Sequence, residues 1–338
     1  PEGAHKTFFS PNDNLLVDIV VLKPQRRLLN LIRMTHAAQL LSSPGITAQQ
    51  AAESCGVTQS TLSTLIMKLE NELDVVIFDR NSRPARPTEM GEKLINQAKV
   101  ALYNVKQLEE LVNVEKKRNF GEVKLSICPT IAPYITPKLF KFLSITYPKI
   151  NIRAREMTRT HTIYKLKRAE IDVAIMSYPR EDEDLLEIPL YKEKYVAYVS
   201  PMSSLYKETE IDMESLPSSH LWGLKDEVSL QRQVSELCDL DYEHSSKYEA
   251  GGICTLMMIV DENGGYTSIP ELHVNLLRES MRSHIRPIVN PVPTRTVSMF
   301  VRKDFVRERM LNILAEGIKH VIPTEMLDEH LLKYPIRL

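Results

Sequence analysis

Residues 47–64 of the chain, TAQQAAESCGVTQSTLST, have the pattern of two short helices separated by a tight turn. The first helix begins near Thr47, whose hydroxyl can cap the amide of Gln50, and it ends at Gly56. The second helix begins after Thr58, a residue type that favours helix N-termini. Its apolar residues recur at helical spacing on one face: Leu62, Ile66, Leu69 and Leu73. Two short helices joined by a turn that contains glycine are typical of a helix-turn-helix.

The flanking residues extend this module in both directions. The apolar spacing of residues 26–41 predicts a preceding helix, and residues 74–78 form a strand-like run. Residues 79–88 alternate arginine with turn-forming residues and contain two prolines, which predicts a β-hairpin wing rather than a helix.

A long helix is predicted after Thr88, which can cap its N-terminus. The apolar residues of this helix are separated alternately by four and three positions: Leu94, Ala98, Ala101, Val105, Leu108 and Val112. This spacing is the a/d seam of a coiled coil and favours a dimer contact. The alternative is that this face packs on its own domain.

The second part of the chain alternates strands with helices. Predicted strands cover residues 123–128, 150–156 and 171–176, and predicted helices cover residues 137–146 and 162–169. Elements alternating at this spacing imply βαβ units and a parallel sheet.

Composition excludes several classes of protein. A chain of 338 residues with 43% hydrophobic and 26% charged residues is long enough for two or three globular domains and is neither disordered nor fibrous. Its apolar runs are too short to cross a bilayer, and residues 1–20 lack the pattern of a secretory signal. We therefore expect a cytoplasmic protein with no membrane partner.

Charge and cysteine usage refine this expectation. The net charge of -1 combines a slightly basic segment, residues 23–100 with ten basic and seven acidic residues, with an acidic remainder. The four cysteines are widely spaced and the nine histidines are dispersed, so neither a disulfide scaffold nor a metal site is predicted. No cofactor motif and no nucleophile-base pair is present, and we predict that the protein is not an enzyme.

Several motifs, taken in order along the chain, resemble those of LysR-type transcriptional regulators. In the N-terminal part these are residues 51–63, 68–70, 78–80 and 88–91. In the C-terminal part they are residues 121–127, 129–130, 171–175 and 264–270. The resemblance covers residues 26–320, and within the family residues 129–137 and 224–238 are most similar to the peroxide-sensing OxyR subfamily.

The resemblance implies an α/β protein with an N-terminal winged helix-turn-helix, a long linker helix and a C-terminal effector domain. This effector domain would have two subdomains, like a periplasmic binding protein. The predicted boundaries are an extension of uncertain structure at 1–24, the DNA-binding domain at 25–88, the linker helix at 89–118, the effector domain at 121–320 and a tail at 321–338. Subdomain I would comprise residues 121–199 and 291–320, and subdomain II residues 200–290.

Candidate DNA-binding residues lie in the second helix and in the wing. Recognition helices read base edges through their first turns, where the chain offers Gln59, Ser60, Thr61, Ser63 and Thr64. The wing offers guanidinium groups for phosphates or the minor groove: Arg80, Arg83 and Arg86. The alternatives are that the hydroxyls cap the helix, as we expect for Thr58, and that the arginines form a solvated face.

Candidate effector-binding residues begin with Thr130, which directly follows a predicted strand. Ligands of open α/β sheets bind at the carboxyl ends of strands, so its hydroxyl and the amides of the next helix could hold a polar or anionic group. A simple N-cap is the alternative. The resemblance adds Ser229 and Thr267, which would face the same cleft.

The resemblance also bears on redox chemistry. OxyR-like proteins carry a reactive cysteine nine residues before a resolving cysteine; here Cys238 stands at the second position, but Ser229 stands at the first. A serine hydroxyl cannot be oxidised to a sulfenate, so we expect that peroxide switch to be absent. Cys128, next to Thr130, and Cys238 remain candidates for a different redox site.

The sequence therefore predicts a regulator that binds double-stranded DNA and a small-molecule effector. It would be a homodimer through the linker helix and would further assemble into a homotetramer. One alternative is a thiol-redox regulator that uses other cysteines. The other, from a different class, is a small-molecule binding protein or an enzyme with an appended helical domain.

Arg83→Ala should weaken DNA binding by a similar factor on every DNA sequence, because a phosphate contact carries no base information. The slope of log affinity against log salt concentration should fall by about one. Fluorescence anisotropy of labelled DNA at several salt concentrations measures both effects, and an unchanged slope would exclude Arg83 from the phosphate contacts.

Overall fold

A computed structural model of the chain describes residues 48–79, 82, 86–115, 121–177, 182–217, 220–223 and 252–338. The predicted helix at 26–41, the extension at 1–24 and the cap at Thr47 lie outside the described residues. The chain divides into two compact units, with the boundary between Lys106 and Gln107.

The N-terminal unit contains the predicted helix-turn-helix. Helix α1 spans Ala48–Ser54 and helix α2 spans Gln59–Leu73. Gly56 lies between them with a φ of 66°, a left-handed conformation that glycine adopts without steric cost. A two-stranded antiparallel hairpin follows, with β1 at Phe78–Asp79 and β2 at Arg86–Pro87. The predicted wing is therefore a hairpin, and the long helix α3 (Glu89–Glu115) begins directly after Thr88.

Two expectations at the end of α2 are wrong. The sequence predicts a strand-like run at 74–78, but only Phe78 belongs to strand β1, and Asp74 is the left-handed cap of α2, whose amide donates to the Glu70 carbonyl. Leu73, which the sequence places on the apolar face of this helix with Leu62, Ile66 and Leu69, is 46% exposed because it is the last residue of α2.

Glu70 holds the loop between α2 and the hairpin. Its carboxylate is buried, and Oε1 accepts hydrogen bonds from the amides of Ile77 (2.7 Å) and Phe78 (3.1 Å). A buried carboxylate that satisfies two loop amides fixes the loop conformation, since leaving those amides without partners would cost free energy.

The start of α3 packs tightly on the same loop. Thr88 Oγ1 accepts from the Gly91 amide (2.9 Å) and donates to the Val76 carbonyl (2.7 Å), so Thr88 caps α3 as predicted. A Cβ atom at Gly91 would lie 2.0 Å from the Ile77 carbonyl oxygen, so only glycine fits there. Ile95, the residue after Leu94 of the predicted seam, is buried with Leu69, Ile77 and Phe78. The first turns of α3 thus pack on their own unit, and the dimer seam stays a prediction for the later turns.

The C-terminal unit has alternating elements at its start. The bounds are β3 Gly121–Ile127, α4 Ala132–Thr146, β4 Ile150–Glu156, α5 Arg159–Lys167, β5 Val173–Met176, β6 Leu185–Val199 and β7 Ile211–Asp212. After residue 252 they are α6 Ile253–Asn263, β8 Tyr266–Pro270, α7 Glu279–Arg282, β9 Ile285–Val289, β10 Thr294–Arg302, α8 Glu308–Val321 and α9 Glu329–Lys333. Helix α4 begins five residues before the predicted start at Pro137. A proline removes one backbone hydrogen bond, and the buried apolar face of α4 offsets that loss.

The sheet is mixed rather than wholly parallel. Strand β3 pairs in parallel with β4 and β5, as the sequence predicts, but β10 pairs antiparallel with both β5 and β6. The strand order is β4-β3-β5-β10-β6-β9-β7, and β8 also pairs with β6. We call the part around β3, β4, β5 and β10 subdomain I, and the part around β7, β8 and β9 subdomain II.

Strand β6 belongs to both subdomains. Its residues 185–194 pair with β10, and its residues 195–199 pair with β8. Along the second half, alternate side chains enter two separate cores: Tyr195, Ala197 and Val199 on one face and Tyr198 on the other. A single continuous strand therefore joins the two subdomains.

The C-terminal segment packs on subdomain I. Asn312 of α8 donates to the Ile336 carbonyl (3.0 Å) and accepts from the Ile336 amide (2.8 Å), so its side chain pairs with the segment as a strand would. The Asp328 amide donates to the Leu190 carbonyl (2.9 Å) of β6. The predicted tail at 321–338 is thus an ordered part of the effector unit.

Candidate DNA interface and effector site

The candidate DNA-reading side chains lie on the first turns of α2. Gln59, Ser60, Thr61, Ser63 and Thr64 are all exposed, whereas Leu62 between them is buried against α1. Helical periodicity produces this separation, because Leu62 faces the domain and its neighbours face outward. The arrangement is suited to contact with base edges in a major groove.

Some of these hydroxyls also make local bonds. Thr58 Oγ1 accepts from the Thr61 amide (3.2 Å), which confirms Thr58 as the N-cap. Thr61 Oγ1 lies 2.8 Å from Thr58 Oγ1, and Thr64 Oγ1 donates to the Ser60 carbonyl (2.9 Å). The hydroxyls at the start of α2 are therefore pre-oriented, while the Gln59 amide is exposed beside them.

Of the wing arginines, Arg86 lies on β2 and is exposed. Arg80 and Arg83 lie outside the described residues, in the connection between β1 and β2. Ser82 bridges the base of the hairpin: its hydroxyl donates to the Asp79 carbonyl (3.0 Å) and accepts from the Arg86 amide (2.9 Å).

Thr130 lies at the carboxyl end of β3, where the sequence predicts it, but its side chain is 4% exposed and does not cap a helix. Ile131 is the N-cap residue of α4 and makes no side-chain capping bond. Instead Thr130 Oγ1 accepts a hydrogen bond from Arg295 Nη1 (2.9 Å). The simple N-cap alternative is therefore wrong.

Arg295 is the centre of a buried polar network. Its Nε and Nη2 both lie 2.8 Å from Glu193 Oε1, and the two side chains are 1% and 0% exposed. Nη2 also donates to Tyr134 OH (3.0 Å), and Tyr134 OH donates to Glu193 Oε1 (2.7 Å). Tyr191 OH lies 3.1 Å from Tyr134 OH. Each member thus has a partner of opposite charge or complementary polarity, which is what makes burial of these charges tolerable.

The network occupies the place where β6 passes from one subdomain to the other. Glu193 is among the last residues of β6 that pair with β10, Arg295 is its direct partner on β10, and Tyr195 begins the pairing with β8. The hydroxyl predicted to bind an effector is therefore connected through Arg295 to the strand that both subdomains share.

Burial keeps the neighbouring titratable groups uncharged. Desolvation is the main cause that raises the pKa of Tyr134 and of Tyr191 well above the usual value. His273, in the turn Glu271–Leu276 that contacts α4 and β6, is 2% exposed. Desolvation, and secondly the charge of Arg295, lowers the pKa of this histidine.

The second predicted effector residue, Thr267, is on β8 in subdomain II and is buried. Its hydroxyl donates to the Trp222 carbonyl (2.7 Å), and Trp222 Nε1 donates to the Gly264 carbonyl (2.9 Å). A Cβ atom at Gly265 would lie 2.2 Å from the His220 carbonyl oxygen, which accounts for the glycine at this position. The third predicted residue, Ser229, lies outside the described residues.

Of the redox candidates, Cys128 is half-buried and follows β3 directly. Its sulfur lies 3.5 Å from Thr130 Oγ1, and it packs against the apolar cluster around Leu166 and Phe300. Cys238 lies outside the described residues.

Over the part of the chain that the structure describes, no three His, Cys, Asp or Glu side chains lie together so as to hold a metal ion. Among the described helices, none combines the length and apolar character needed to cross a bilayer.

The residues predicted from the sequence include Thr130 but not the buried polar residues around it: Arg295, Glu193, Tyr134 and His273. A signal for Glu193 did exist: it stands between Tyr191 and Tyr195 at a period-two spacing, where a strand would otherwise bury an apolar face. No comparable signal marks Arg295, the partner of Glu193, which is 102 residues further along the chain.

Two family models match the chain. Residues 116–321 match the LysR substrate binding domain, and residues 47–92 match the bacterial regulatory helix-turn-helix protein of the lysR family. A winged helix-turn-helix, a long helix and a two-subdomain α/β unit together define a transcriptional regulator that responds to a ligand. The chain belongs to the LysR family of transcriptional regulators, since the first model alone covers more than half of it.

Several of the similar proteins are regulators of the OxyR kind. The hydrogen peroxide-inducible genes activator of Haemophilus influenzae is 29% identical over 281 residues, which is 81% of this chain and 93% of that protein. The DNA-binding transcriptional dual regulator OxyR of Escherichia coli is 28% identical over 272 residues, or 80% of this chain and 89% of that protein. The predicted family, its similarity to OxyR and the α/β architecture are confirmed.

Solved structures give the same result. A full-length OxyR variant of Pseudomonas aeruginosa aligns with a TM-score of 0.74 at 28% identity, covering 89% of this chain and 97% of that one. OxyR of Porphyromonas gingivalis aligns with a TM-score of 0.58 at 28% identity, covering 62% of this chain and 96% of that one. LysR-type regulators bind DNA and small-molecule effectors and form oligomers.

The stability of the effector unit should fall as the pH drops below about 6.5, the value for an exposed histidine. In that range the unfolded chain binds a proton at His273 that the folded chain excludes, so the free energy of unfolding decreases by up to about 1.4 kcal/mol per pH unit until the lowered pKa is reached. His273→Gln should remove this part of the pH dependence.

Urea unfolding at pH 7.5 and 5.5, followed by the fluorescence of the single tryptophan, Trp222, measures the effect in the effector unit. The exposed His161, changed to Gln in the same way, is the control and should keep the wild-type behaviour. Equal pH dependence in wild type and His273→Gln would contradict the assignment.

Proposed function

We propose that this LysR-type regulator is controlled by a small polar effector bound between its subdomains, at Thr130 from subdomain I and at Thr267 and Ser229 from subdomain II. One observation carries the proposal. The Thr130 hydroxyl is bonded to Arg295, which pairs with Glu193 on the strand that both subdomains share. A ligand that changes the contacts of Thr130 thereby acts on the connection between the subdomains.

The response passes from the effector domain to the DNA by a change in assembly. Two chains pair through the later turns of α3, and two such dimers form a tetramer. A shift between subdomains changes how the dimers are arranged and so alters the spacing of their DNA-binding domains. Half-site spacing is a property that paired helix-turn-helix domains read directly.

On the DNA, Gln59, Ser60, Thr61, Ser63 and Thr64 contact the major groove, and Arg80, Arg83 and Arg86 contact phosphates or the minor groove. The exposure of the α2 side chains and of Arg86 supports these roles. Gln59 is the best base reader, because Gln pairs bidentately with adenine. The protein acts in the cytoplasm as a regulator and not as an enzyme.

Thr130→Val should abolish the response to the effector while leaving DNA binding in its absence intact, because valine keeps the shape but removes the hydroxyl. The effector is first identified by a screen of metabolites on the full chain, with melting followed by Trp222 fluorescence. A ligand at about 100 times its dissociation constant adds about 2.7 kcal/mol of stability. The ligand-induced gain in melting temperature should be lost in Thr130→Val and kept in Thr130→Ser.

Thr146→Val, at the exposed far end of α4, is the matched control and should respond like the wild type. Gel shifts on the DNA that flanks its own gene test the other half of the proposal. A ligand whose effect survives Thr130→Val would refute the effector site, and the absence of a shift at low salt would refute the regulator itself.

A thiol-redox response at Cys128 is the second candidate. It is supported by the contact of the Cys128 sulfur with Thr130 Oγ1 and by the peroxide-inducible activators among the relatives. Hydrogen-bond donors and nearby positive charge stabilise a thiolate. The thiolate would attack a hydroperoxide, forming an S–O bond as the O–O bond breaks and water or alcohol leaves. Cys238 is the other thiol that could then pair with the oxidised sulfur.

Hydrogen peroxide should convert Cys128 to a sulfenate faster than the exposed Cys254, because Thr130 Oγ1 lies 3.5 Å from the Cys128 sulfur and can donate a hydrogen bond to its thiolate. Dimedone labelling followed by mass spectrometry measures the rate at each cysteine. Cys128→Ser should remove the peroxide effect on DNA binding, whereas Cys254→Ser should leave it unchanged. Equal labelling rates would end the redox candidate.

A further inference from the structure

Hydrogen-bond direction limits what Thr130 can offer to a ligand. A guanidinium can only donate, so Thr130 Oγ1 accepts the bond from Arg295 Nη1. The hydroxyl proton therefore points away from Arg295, toward an acceptor such as the Cys128 sulfur at 3.5 Å or an atom of a ligand. Thr130 thus presents a hydrogen-bond donor to the effector.

The groups that would hold an anion beside Thr130 already serve internal acceptors. Arg295 donates to the Glu193 carboxylate, to both the hydroxyl and the carbonyl of Thr130, and to Tyr134 OH. A guanidinium that is bonded on all these sides gives a neighbouring ligand neither a bidentate contact nor an unbalanced charge.

The backbone amides at the start of α4 also donate to an acceptor within the chain. The amides of Ile131 and Ala132 both donate to the Cys128 carbonyl (2.9 Å each). These are the amides at the N-terminus of α4 next to Thr130, where an anion would otherwise bind. The sequence-based expectation that they help to hold an anionic group is therefore not supported by their bonding.

The charges of the network balance. Arg295 and Glu193 are one cation and one anion at hydrogen-bond distance, both almost fully buried. Tyr134 and Tyr191 are un-ionised and His273 is neutral at pH 7, because burial opposes the charged form of each. Among the described residues of this network, an added anion would therefore be buried with no counter-charge beyond the pair itself, which is costly in a medium of low polarity.

We propose that Glu193 is a specificity-determining residue of the effector site, whose carboxylate neutralises Arg295 so that Thr130 selects an uncharged ligand with a hydrogen-bond acceptor over an anion. This inference rests on the proposed role of Thr130 in effector binding. Glu193 would act on the selectivity through its pairing with Arg295, without touching the ligand itself.

Glu193→Gln tests the proposal, because glutamine keeps the shape and can still accept from Arg295 Nε while the negative charge is lost. Formate and formamide are the probes: they match in size and differ in charge. Each is titrated into the full chain in chloride-free HEPES buffer, and melting is followed by Trp222 fluorescence. The wild type should not bind formate more tightly than formamide. Glu193→Gln should bind formate at least about tenfold more tightly than the wild type does.

A second buried ion pair provides the matched control. Asp172 Oδ1 lies 2.8 Å from Arg307 Nη2 in subdomain I, with side chains 10% and 6% exposed. Asp172→Asn also leaves a buried arginine without its carboxylate, but away from Thr130, and should gain no preference for formate. Adding Thr130→Val to Glu193→Gln should remove the gain in affinity for formate.

The outcomes separate cleanly. A preference for formate in the wild type, no gain in Glu193→Gln, or an equal gain in Asp172→Asn would each overturn the proposal. If Glu193→Gln does not fold in buffer alone, recovery of the folded signal with formate but not formamide supports the proposal, and recovery with neither overturns it. A failure of the proposed effector site is seen independently, as a metabolite effect that survives Thr130→Val.

Discussion

The hydrogen-bonded ion pair between Arg295 and Glu193 is the interaction on which the effector unit depends most. It joins β10 to β6 at the point where β6 leaves subdomain I, and it also holds the loop that carries Thr130. Removing one partner of such a buried pair costs about 3–5 kcal/mol, because the other charge is left buried without compensation. The pair therefore restricts the position of Thr130 relative to the strand that both subdomains share.

The motifs by which the chain resembles its family are mostly determinants of the fold. Glu70 satisfies two loop amides, and the backbone at Gly91 passes too close to a carbonyl for any side chain. Asp172 accepts from the Lys124 amide and pairs with Arg307, which aligns β5 with β3. The exposed side chains of α2, by contrast, make only local bonds within their own helix start, such as that of Thr64 to the Ser60 carbonyl.

The sequence predicted the position of Thr130 in the sheet but not the buried partner of its hydroxyl, Arg295. Thr130 follows a strand, so its place at the carboxyl end of a sheet could be deduced from local pattern alone. Arg295 is 165 residues away, and one strand pairing brings it there. The same limit explains the errors at Leu73 and Pro137, because an amphipathic pattern predicts which face of a helix is apolar but not where the neighbouring element ends or whether packing offsets a missing hydrogen bond.

The sequence by itself determined the order of the elements, the helix-turn-helix with its caps at Thr58 and Thr88, the parallel start of the sheet, and the family. These features depend on backbone conformation and on periodicity within a few turns, which are local properties. Only the tertiary structure decided that β6 belongs to two subdomains, that Thr130 accepts from Arg295, and that Glu193 balances its charge. Each of these features depends on residues that are distant in sequence and that the sheet brings together. Whether a residue is buried, and which partner its charge has, is fixed only once the chain has folded.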